Sequence, residues 1–235
     1  MEDPTALRGI ATGWYALDQL TRGLRAATVY TILGDTSIGK SLMCHYLIWL
    51  LAGAGVPVWL ASVEMRQEEV IERLVYMEAG LDPRALSKEG LLTPEQKNLV
   101  RDAYEKVMDW PVHVCDLAGP ALPILTAEAR RVIAQHDAKV LFIDHLQHIQ
   151  VPNAKGAVDA MAEVTRETKA LAQNHEVPLV QVSHINRSAA LNGVGLHSAK
   201  NGGSIVQDTD MLFTLEPVQW RNGEWIHQTE EAAAA

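Results

Sequence analysis

The chain has 235 residues, of which 48% are hydrophobic and 21% charged, and its formal net charge is −9. This composition excludes intrinsic disorder, collagen-like repeats and a small disulfide scaffold. The acidic balance also excludes a generic basic coat for nucleic acid, so any such contact must come from a few local loops. No apolar run is long enough for a membrane span, and the N-terminus lacks the apolar core of an export signal. We therefore expect a cytoplasmic protein with reduced cysteines and no membrane partner.

Short apolar runs alternate along the chain with longer amphipathic stretches. The short runs predict a buried strand at Ala27–Leu33 and further strands at Pro57–Ala61, Val112–Cys115, Lys139–Ile143, Pro178–Val182, Met211–Leu215 and Glu224–His227. The longer stretches predict helices at Lys40–Ala54, Gln67–Ala79, Asp82–Leu86, Thr93–Val107, Ile124–His136 and Ala157–Asn174. The pair Thr93-Pro94 is a good cap and first-turn pair for the fourth of these helices. Asn222-Gly223 predicts a hairpin turn between Trp220 and Trp225. The alternation predicts an α/β fold, in which a mostly parallel twisted sheet has helices on both faces.

We expect one domain over residues 1–231, with two segments that no element explains. These are Val151–Ala157 and the glycine-containing stretch Asn186–Gly203. Loops of this kind in a compact domain are usually functional or mobile. The alanine tail, Ala232–Ala235, is expected to be an artificial or disordered end outside the fold.

Residues 34–41 match the phosphate-loop pattern G-x-x-x-x-G-K-[ST] and lie between a predicted buried strand and a predicted helix. In this pattern, backbone N–H groups and the positive end of the helix dipole hold the phosphates of a nucleotide. The lysine reaches the β and γ phosphates, and the serine hydroxyl binds Mg²⁺. ATP and Mg²⁺ are therefore the expected ligands. The predicted contacts come from Gly34, Asp35, Thr36, Ser37, Ile38, Gly39, Lys40 and Ser41.

Two carboxylates complete the predicted site. Asp144 follows four apolar residues at the carboxyl end of a predicted central strand, where ligands of parallel sheets bind, so we expect it to hold Mg²⁺ directly or through water. Glu64 follows the strand Pro57–Ala61. If that strand neighbours the phosphate-loop strand, Glu64 lies near the γ-phosphate and can orient the attacking water.

The histidines after Asp144 also have a spacing that suits a metal. However, no cysteine is near His145 and His148, and a structural zinc site needs four ligands, so the sequence argues against zinc here. Gln147, which lies between them, is expected to contact active-site waters or the next subunit of an assembly.

The ordered set of motifs resembles the DnaB-like replicative helicase domain. Where that family has S-L-E-M, D-Y-L-Q, S-Q-L-N-R and S-G-A-I-E-Q-D-A-D, this chain has S-V-E-M, D-H-L-Q, S-H-I-N-R and G-G-S-I-V-Q-D-T-D, at residues 62–65, 144–147, 183–187 and 202–210. The segments T-G-W-Y-A-L-D and L-T-R-G-L before the phosphate loop also match. The resemblance implies a RecA-like ATPase core that forms a ring, expected to be a hexamer, and translocates on single-stranded DNA. A primase or a helicase loader is the implied further partner.

His184 replaces the glutamine of the bacterial enzymes and is similar to the residue of phage primase–helicases, which indicates a phage or plasmid type. The resemblance implies that His184, with Gln147, senses the γ-phosphate and relays its presence to the DNA-facing loop. A histidine can do so by donating a ring N–H to phosphate oxygen. The candidate DNA contacts lie in the two unexplained segments: Lys155, Arg187, Asn192 and Lys200.

The end of the chain departs from the family, which normally carries an arginine finger after the last predicted strands of the core. Arg221-Asn222-Gly223 is similar to the R-N-G of that finger but comes too early. Two alternatives to a helicase motor therefore stay open. One is an ATPase of the RecA superfamily without unwinding activity, and the other is a nucleotide-binding module without turnover.

Overall fold

The computed structural model describes residues 6–82, 92–185, 203–221 and 224–227. The strands are β1 Val29–Gly34, β2 Val58–Ser62, β3 Val112–Asp116, β4 Val140–Asp144, β5 Leu179–His184, β6 Met211–Leu215, β7 Val218–Arg221 and β8 Glu224–His227. The helices are α1 Tyr15–Thr21, α2 Lys40–Gly53, α3 Gln67–Ala79, α4 Pro94–Met108, α5 Leu122–His136, α6 Ala157–Asn174 and α7 Gly203–Asp208, with a 3₁₀ turn at Leu146–His148. No helix in these ranges is long and apolar enough to cross a membrane.

Six strands form one parallel sheet in the order β3-β2-β4-β5-β1-β6, which confirms the predicted α/β fold. The strand β4 lies in the interior of the sheet, as its unbroken apolar sequence predicts. The strand β2 pairs with β3 and β4, and β1 pairs with β5 and β6. The condition placed on Glu64, that β2 neighbours β1, is therefore wrong.

Each face of the sheet is covered by its own apolar core. Residues of α5, α6 and α7 pack on one face, and residues of α1, α2, α3 and α4 pack on the other. Successive residues of β4 alternate between them: Leu141 and Ile143 join the first core, whereas Val140 and Phe142 join the second. Because a strand buried on both faces cannot show a polar alternation, its sequence is apolar throughout.

Most predicted elements are confirmed, with ends that move by one or two residues. The ranges of α3, α6, β6 and β8 are as predicted. Thr93 caps the N-terminus of α4, as the Thr93-Pro94 pair predicts, since its hydroxyl accepts from the N–H of Gln96. Trp220 pairs with Trp225 in an antiparallel ladder, as the hairpin prediction requires. Cys44 and Cys115 are free thiols.

The structure adds one helix and corrects one loop boundary, and some predicted segments lie outside the described residues. The helix α1 was not predicted, because its seven residues are too few to establish a period. Gly203, expected to end a long loop, begins the helix α7. Most of Asp82–Leu86, residues 186–202 and the alanine tail lie outside the described residues.

Candidate nucleotide site

The phosphate loop connects the end of β1 at Gly34 to the start of α2 at Lys40. Gly39 has a φ of +105°, which a side chain would strain. A Cβ atom on Gly34 would lie 2.7 Å from the side chain of Ile38, so this position needs the absence of a side chain. Ser37 also has a positive φ, of 65°. The backbone between the two glycines therefore follows the tight curl that lets successive N–H groups face one anion.

Lys40 is 5% exposed and lies across the loop that it terminates. Its ammonium donates to the carbonyl of Asp35 at 2.6 Å and lies 3.2 Å from Nδ1 of His184. Burial lowers the pKa of Lys40, and the carboxylates of Asp144, Asp35 and Glu64 oppose that shift. The strands explain the meeting with His184, because β1 and β5 are neighbours and Gly34 is paired with His184.

Asp144 and Ser41 are the residues that fit Mg²⁺. The hydroxyl of Ser41 donates to the carboxylate of Asp144, which is only 5% exposed. The Oδ1 atom of Asp144 is buried and has no hydrogen-bond partner. Burial raises the pKa of Asp144 despite the hydrogen bond from Ser41. A buried oxygen without a partner, next to a hydroxyl and the phosphate loop, is the oxygen donor set that a hydrated magnesium ion prefers.

Glu64 reaches the site by a route that the sequence did not indicate. Ser62 is paired with Asp144, and the N–H of Val63 donates to the carbonyl of Asp144 at 2.9 Å, so the chain after β2 follows the end of β4. The Oε1 atom of Glu64 lies 2.8 Å from Nε2 of His145. Burial raises the pKa of Glu64, but three histidines together hold it below the usual value. Glu64 is therefore ionised at neutral pH, as a water-orienting carboxylate must be.

His145 joins the two sides of the site, and sequence reasoning missed this role. Its ring is 2% exposed, and its Nε2 atom lies 2.8 Å from Glu64 and 3.1 Å from Nε2 of His184. The only indication in the sequence was its spacing from His148, whose Nδ1 lies 3.8 Å from the same oxygen of Glu64. Pairing across β2, β4 and β5 is long-range and leaves no trace in local spacing.

Gln147 contacts β5 within its own chain. Its side-chain amide donates to the hydroxyl of Ser183 at 2.6 Å, while its Oε1 atom is buried without a partner. This hydrogen bond links the 3₁₀ turn after Asp144 to the residue before the predicted sensor. The contact of Gln147 with waters or with a second subunit stays a prediction.

The candidate DNA contacts are described for one residue only. Lys155 is exposed and lies just before α6. Its backbone N–H donates to the carboxylate of Asp159, in the first turn of that helix, at 3.0 Å. Arg187, Asn192 and Lys200 lie outside the described residues.

Two aspartates of the last matched motif, residues 202–210, have structural roles. A carboxylate oxygen of Asp210 accepts from the N–H of Val29 at 2.7 Å and also binds the ammonium of Lys169. Asp208 accepts from the hydroxyl of Thr165 on α6. These acids attach the start of β6 to β1 and α6, and so hold the edge of the sheet beside the phosphate loop.

Residues 9–232 match the family model described as the DnaB-like helicase C-terminal domain. The chain belongs to this family. It is similar to the replicative DNA helicase DnaB of Treponema pallidum, at 29% identity over 211 residues that cover 89% of this chain and 48% of that protein. DnaB of Rhodothermus marinus is 29% identical over 229 residues, 90% of this chain and 23% of that protein. The chain thus spans half or less of these curated relatives.

Solved structures show the same fold at low identity. A DnaB-like replicative helicase, described with its interactions with primase, superposes with a TM-score of 0.81 at 18% identity, over 92% of this chain and 52% of that chain. A separately solved ATPase domain also gives a TM-score of 0.81 at 18% identity, over 92% of this chain and 78% of that one. A KaiC-like protein from Pyrococcus horikoshii superposes with a TM-score of 0.62 at 17% identity, over 94% and 86% of the two chains. The RecA-like fold of this DnaB-like domain agrees with all three.

Proposed function

We propose that this domain is the ATP-hydrolysing motor of a replicative DNA helicase, which works as a ring, expected to be a hexamer, on single-stranded DNA. The observation that carries the proposal is the convergence of Lys40, Asp144, Glu64 and His184 beside the phosphate loop, inside a chain of the DnaB-like family. We assign each of these residues a separate role in phosphoryl transfer, a reaction that depends on positioning of the reactants and on stabilisation of charge.

The contacts of these residues support one role for each. Lys40 leaves the Asp35 carbonyl and neutralises the β and γ phosphates of ATP, while the loop N–H groups bind the remaining oxygens. Ser41 and Asp144 would hold Mg²⁺, which would supply neutralisation of the phosphate charge. Glu64 orients the attacking water and accepts its proton. Once Lys40 has left His184, Nε2 of His145 can carry its hydrogen and donate to Glu64 across the 2.8 Å contact, which holds the carboxylate in place.

His184 is suited to report the γ-phosphate because it shares Lys40 with that phosphate. When Lys40 turns to ATP, its ammonium leaves Nδ1 of His184 and contacts a phosphate oxygen instead. Because His184 ends β5, this change of contact reaches the segment that follows the strand, from residue 186 onward. We propose that residues 186–202 and the segment 151–157 face DNA, with Lys155, Arg187, Asn192 and Lys200 as contacts. Basic side chains repeated around a ring would offset the acidic net charge locally.

The histidine at position 184 also supports assignment of this helicase domain to the phage or plasmid type. We propose a primase or a helicase loader as a further protein partner of the domain. Arg187→Ala or Lys200→Ala should weaken binding to single-stranded DNA and reduce its salt dependence, since each phosphate contact contributes to the slope.

A strand-displacement assay tests the function. A forked duplex with one labelled strand is incubated with the protein, ATP and Mg²⁺, and release of the strand is followed in parallel with phosphate release. The proposal predicts displacement that Lys40→Ala abolishes and that Lys97→Ala, a change of an exposed lysine on α4, leaves intact. Phosphate release without displacement would instead indicate an ATPase of this superfamily that does not unwind, and nucleotide binding without phosphate release would indicate a binding module.

A further inference from the structure

Glu64, His145 and His184 form what we call the His–Glu cluster. One carboxylate oxygen and two imidazole nitrogens of these side chains all lie within 4.8 Å of one another. The side chain of His145 is 3% exposed and that of Glu64 is 45% exposed, so the cluster is closed on the protein side and open on the other. His184 ends β5, His145 directly follows β4, and Glu64 lies two residues after β2. These three strands are neighbours in the sheet, so their pairing holds the backbone of the cluster in place.

Hydrogen atoms alone cannot satisfy the contacts of the cluster. The Lys40 ammonium only donates, so Nδ1 of His184 accepts and its Nε2 carries the hydrogen that points at Nε2 of His145. That leaves Nε2 of His145 facing the Glu64 carboxylate with a lone pair at 2.8 Å. If His145 instead donates to Glu64, two N–H groups face each other at the 3.1 Å contact. Every arrangement with a charged Lys40 leaves one close contact without a hydrogen bond.

Two imidazole nitrogens and one carboxylate oxygen that converge in this way can bind a transition metal ion once each ring carries its hydrogen on Nδ1, which leaves a lone pair on both Nε2 atoms. Zinc takes imidazole nitrogen and carboxylate oxygen at about 2.0–2.2 Å, and tetrahedral geometry then separates the ligand atoms by about 3.4 Å. The separations of 2.8 and 3.1 Å need to open by about 0.3–0.6 Å to reach this value, and the ligand atoms of Glu64 and His184 lie within 4.8 Å of each other. Magnesium prefers an all-oxygen shell, so two nitrogens select against it.

We propose that the His–Glu cluster binds a first-row divalent transition ion, Zn²⁺ above all, separately from the magnesium position at Ser41 and Asp144. Nε2 of His145, Nε2 of His184 and Oε1 of Glu64 are the three ligands. The exposed fourth position is taken by water or by His148, whose Nδ1 lies 3.8 Å from the Glu64 oxygen. The sequence argued against zinc because only His145 and His148 were visible as a pair.

Binding of zinc at this place has a consequence that rests on the proposed function. The ion occupies the Glu64 carboxylate and the Nε2 atom of His184, and its ligation of Nε2 puts the remaining hydrogen of that ring on Nδ1, towards Lys40. The contact between Lys40 and His184 is then lost. Zinc should therefore inhibit ATP turnover, because a Glu64 carboxylate that binds zinc cannot orient the attacking water. The binding of zinc itself needs neither nucleotide nor DNA.

Metal binding is measured directly, on metal-free protein without nucleotide, by competition for Zn²⁺ with a chromophoric chelator and by the visible absorption of bound Co²⁺. We expect one tight equivalent in the wild type. Loss of an outer-shell partner alone weakens metal sites about 10–100-fold, so His184→Gln and Glu64→Gln should each cost at least that much. The matched control is His136→Gln, which disrupts a close histidine pair outside the cluster, His113 and His136, with ring centroids 4.1 Å apart.

The outcomes separate this proposal from the helicase assignment. Tight binding that His184→Gln and Glu64→Gln abolish and His136→Gln preserves supports the cluster. Absence of tight binding, binding that both cluster variants retain, or binding that His136→Gln removes would overturn it. Glu64 is half exposed, so its variant is expected to fold, and thermal melts of each variant verify this. ATP turnover by the metal-free wild type is scored separately and bears only on the proposed function.

Discussion

The ammonium of Lys40 and the imidazole of His184 meet at 3.2 Å, although 144 positions separate them in the chain. Lys40 ends the phosphate loop after β1 and His184 ends β5, and the two strands are neighbours in the sheet. The residue expected to bind phosphate therefore contacts the residue expected to sense it. This contact connects the nucleotide site to the chain that leads toward the predicted DNA-facing loop.

Lys40→Ala should abolish nucleotide binding and turnover while the fold is retained. The lysine contributes its charge to the site and no apolar surface to either core, and burial already lowers its pKa, so its loss removes a desolvated charge. Loss of one donor to transferring charge costs on the order of 10²–10³ in rate, and here binding is lost as well. Calorimetric titration with ATP and far-UV circular dichroism measure the two properties. Lys97→Ala is the control, and wild-type affinity in Lys40→Ala would refute the phosphate-loop assignment.

Glu64→Gln should separate binding from chemistry. The amide keeps the shape of the side chain but cannot accept a proton, so ATP still binds while the chemical step slows about 10²–10⁴-fold. Single-turnover phosphate release measures this step. Glu68→Gln, an exposed change in the first turn of α3, should turn over normally. Normal turnover in Glu64→Gln would place the base elsewhere.

Asp144→Asn should make the nucleotide-free domain more stable and inactive. Burial raises the pKa of Asp144 above 3.8, so its contribution to stability is present below that value and is lost as the pH rises through the higher native pKa. At neutral pH the buried charge therefore costs stability, and a neutral amide of the same shape relieves that cost. Thermal melts at pH 7.5 should give a higher midpoint for the variant, together with loss of magnesium-dependent turnover. A lower midpoint would contradict this account of the carboxylate.

His45, on the buried side of α2, should make stability depend on pH. Burial, aided by the charge of Arg73, lowers its pKa from 6.5 to about 4. Because the unfolded chain then binds more protons, stability is full above 6.5 and falls as the pH drops toward 4, with a loss on the order of 2 kcal/mol between pH 7 and pH 5. Urea unfolding at several pH values measures this, and His45→Gln should flatten the dependence. An unchanged slope in His45→Gln would assign the titration to another group.

Much of the fold was predictable because local sequence patterns determine its strands and helices. The apolar runs of β1 and β4, the period of α6 and the Thr93-Pro94 cap each depend on neighbouring residues, and the structure confirms them. The phosphate loop is likewise a local motif whose context is a strand followed by a helix. Ends of elements moved by one or two residues because they depend on capping and on sheet pairing.

The centre of the site was not predictable from spacing, because it depends on strand order. Apolar runs do not determine which strands are neighbours, so the sequence leaves open whether β2 lies beside β1, and the structure pairs it with β3 and β4. Glu64 nevertheless reaches the site, since the chain after β2 follows the end of β4. His145 was judged only by its distance to His148 along the chain, and its contacts with Glu64 and His184 arise across the sheet.

The measurement that bears most directly on the motor proposal is steady-state ATP hydrolysis with and without single-stranded DNA, for the wild type and for His184→Ala. The account predicts hydrolysis that DNA stimulates in the wild type. In His184→Ala, nucleotide and DNA should still bind, but DNA should no longer stimulate hydrolysis, because the side chain that joins Lys40 to β5 is gone. Hydrolysis in the wild type that DNA leaves unchanged, or normal stimulation in His184→Ala, would contradict the account.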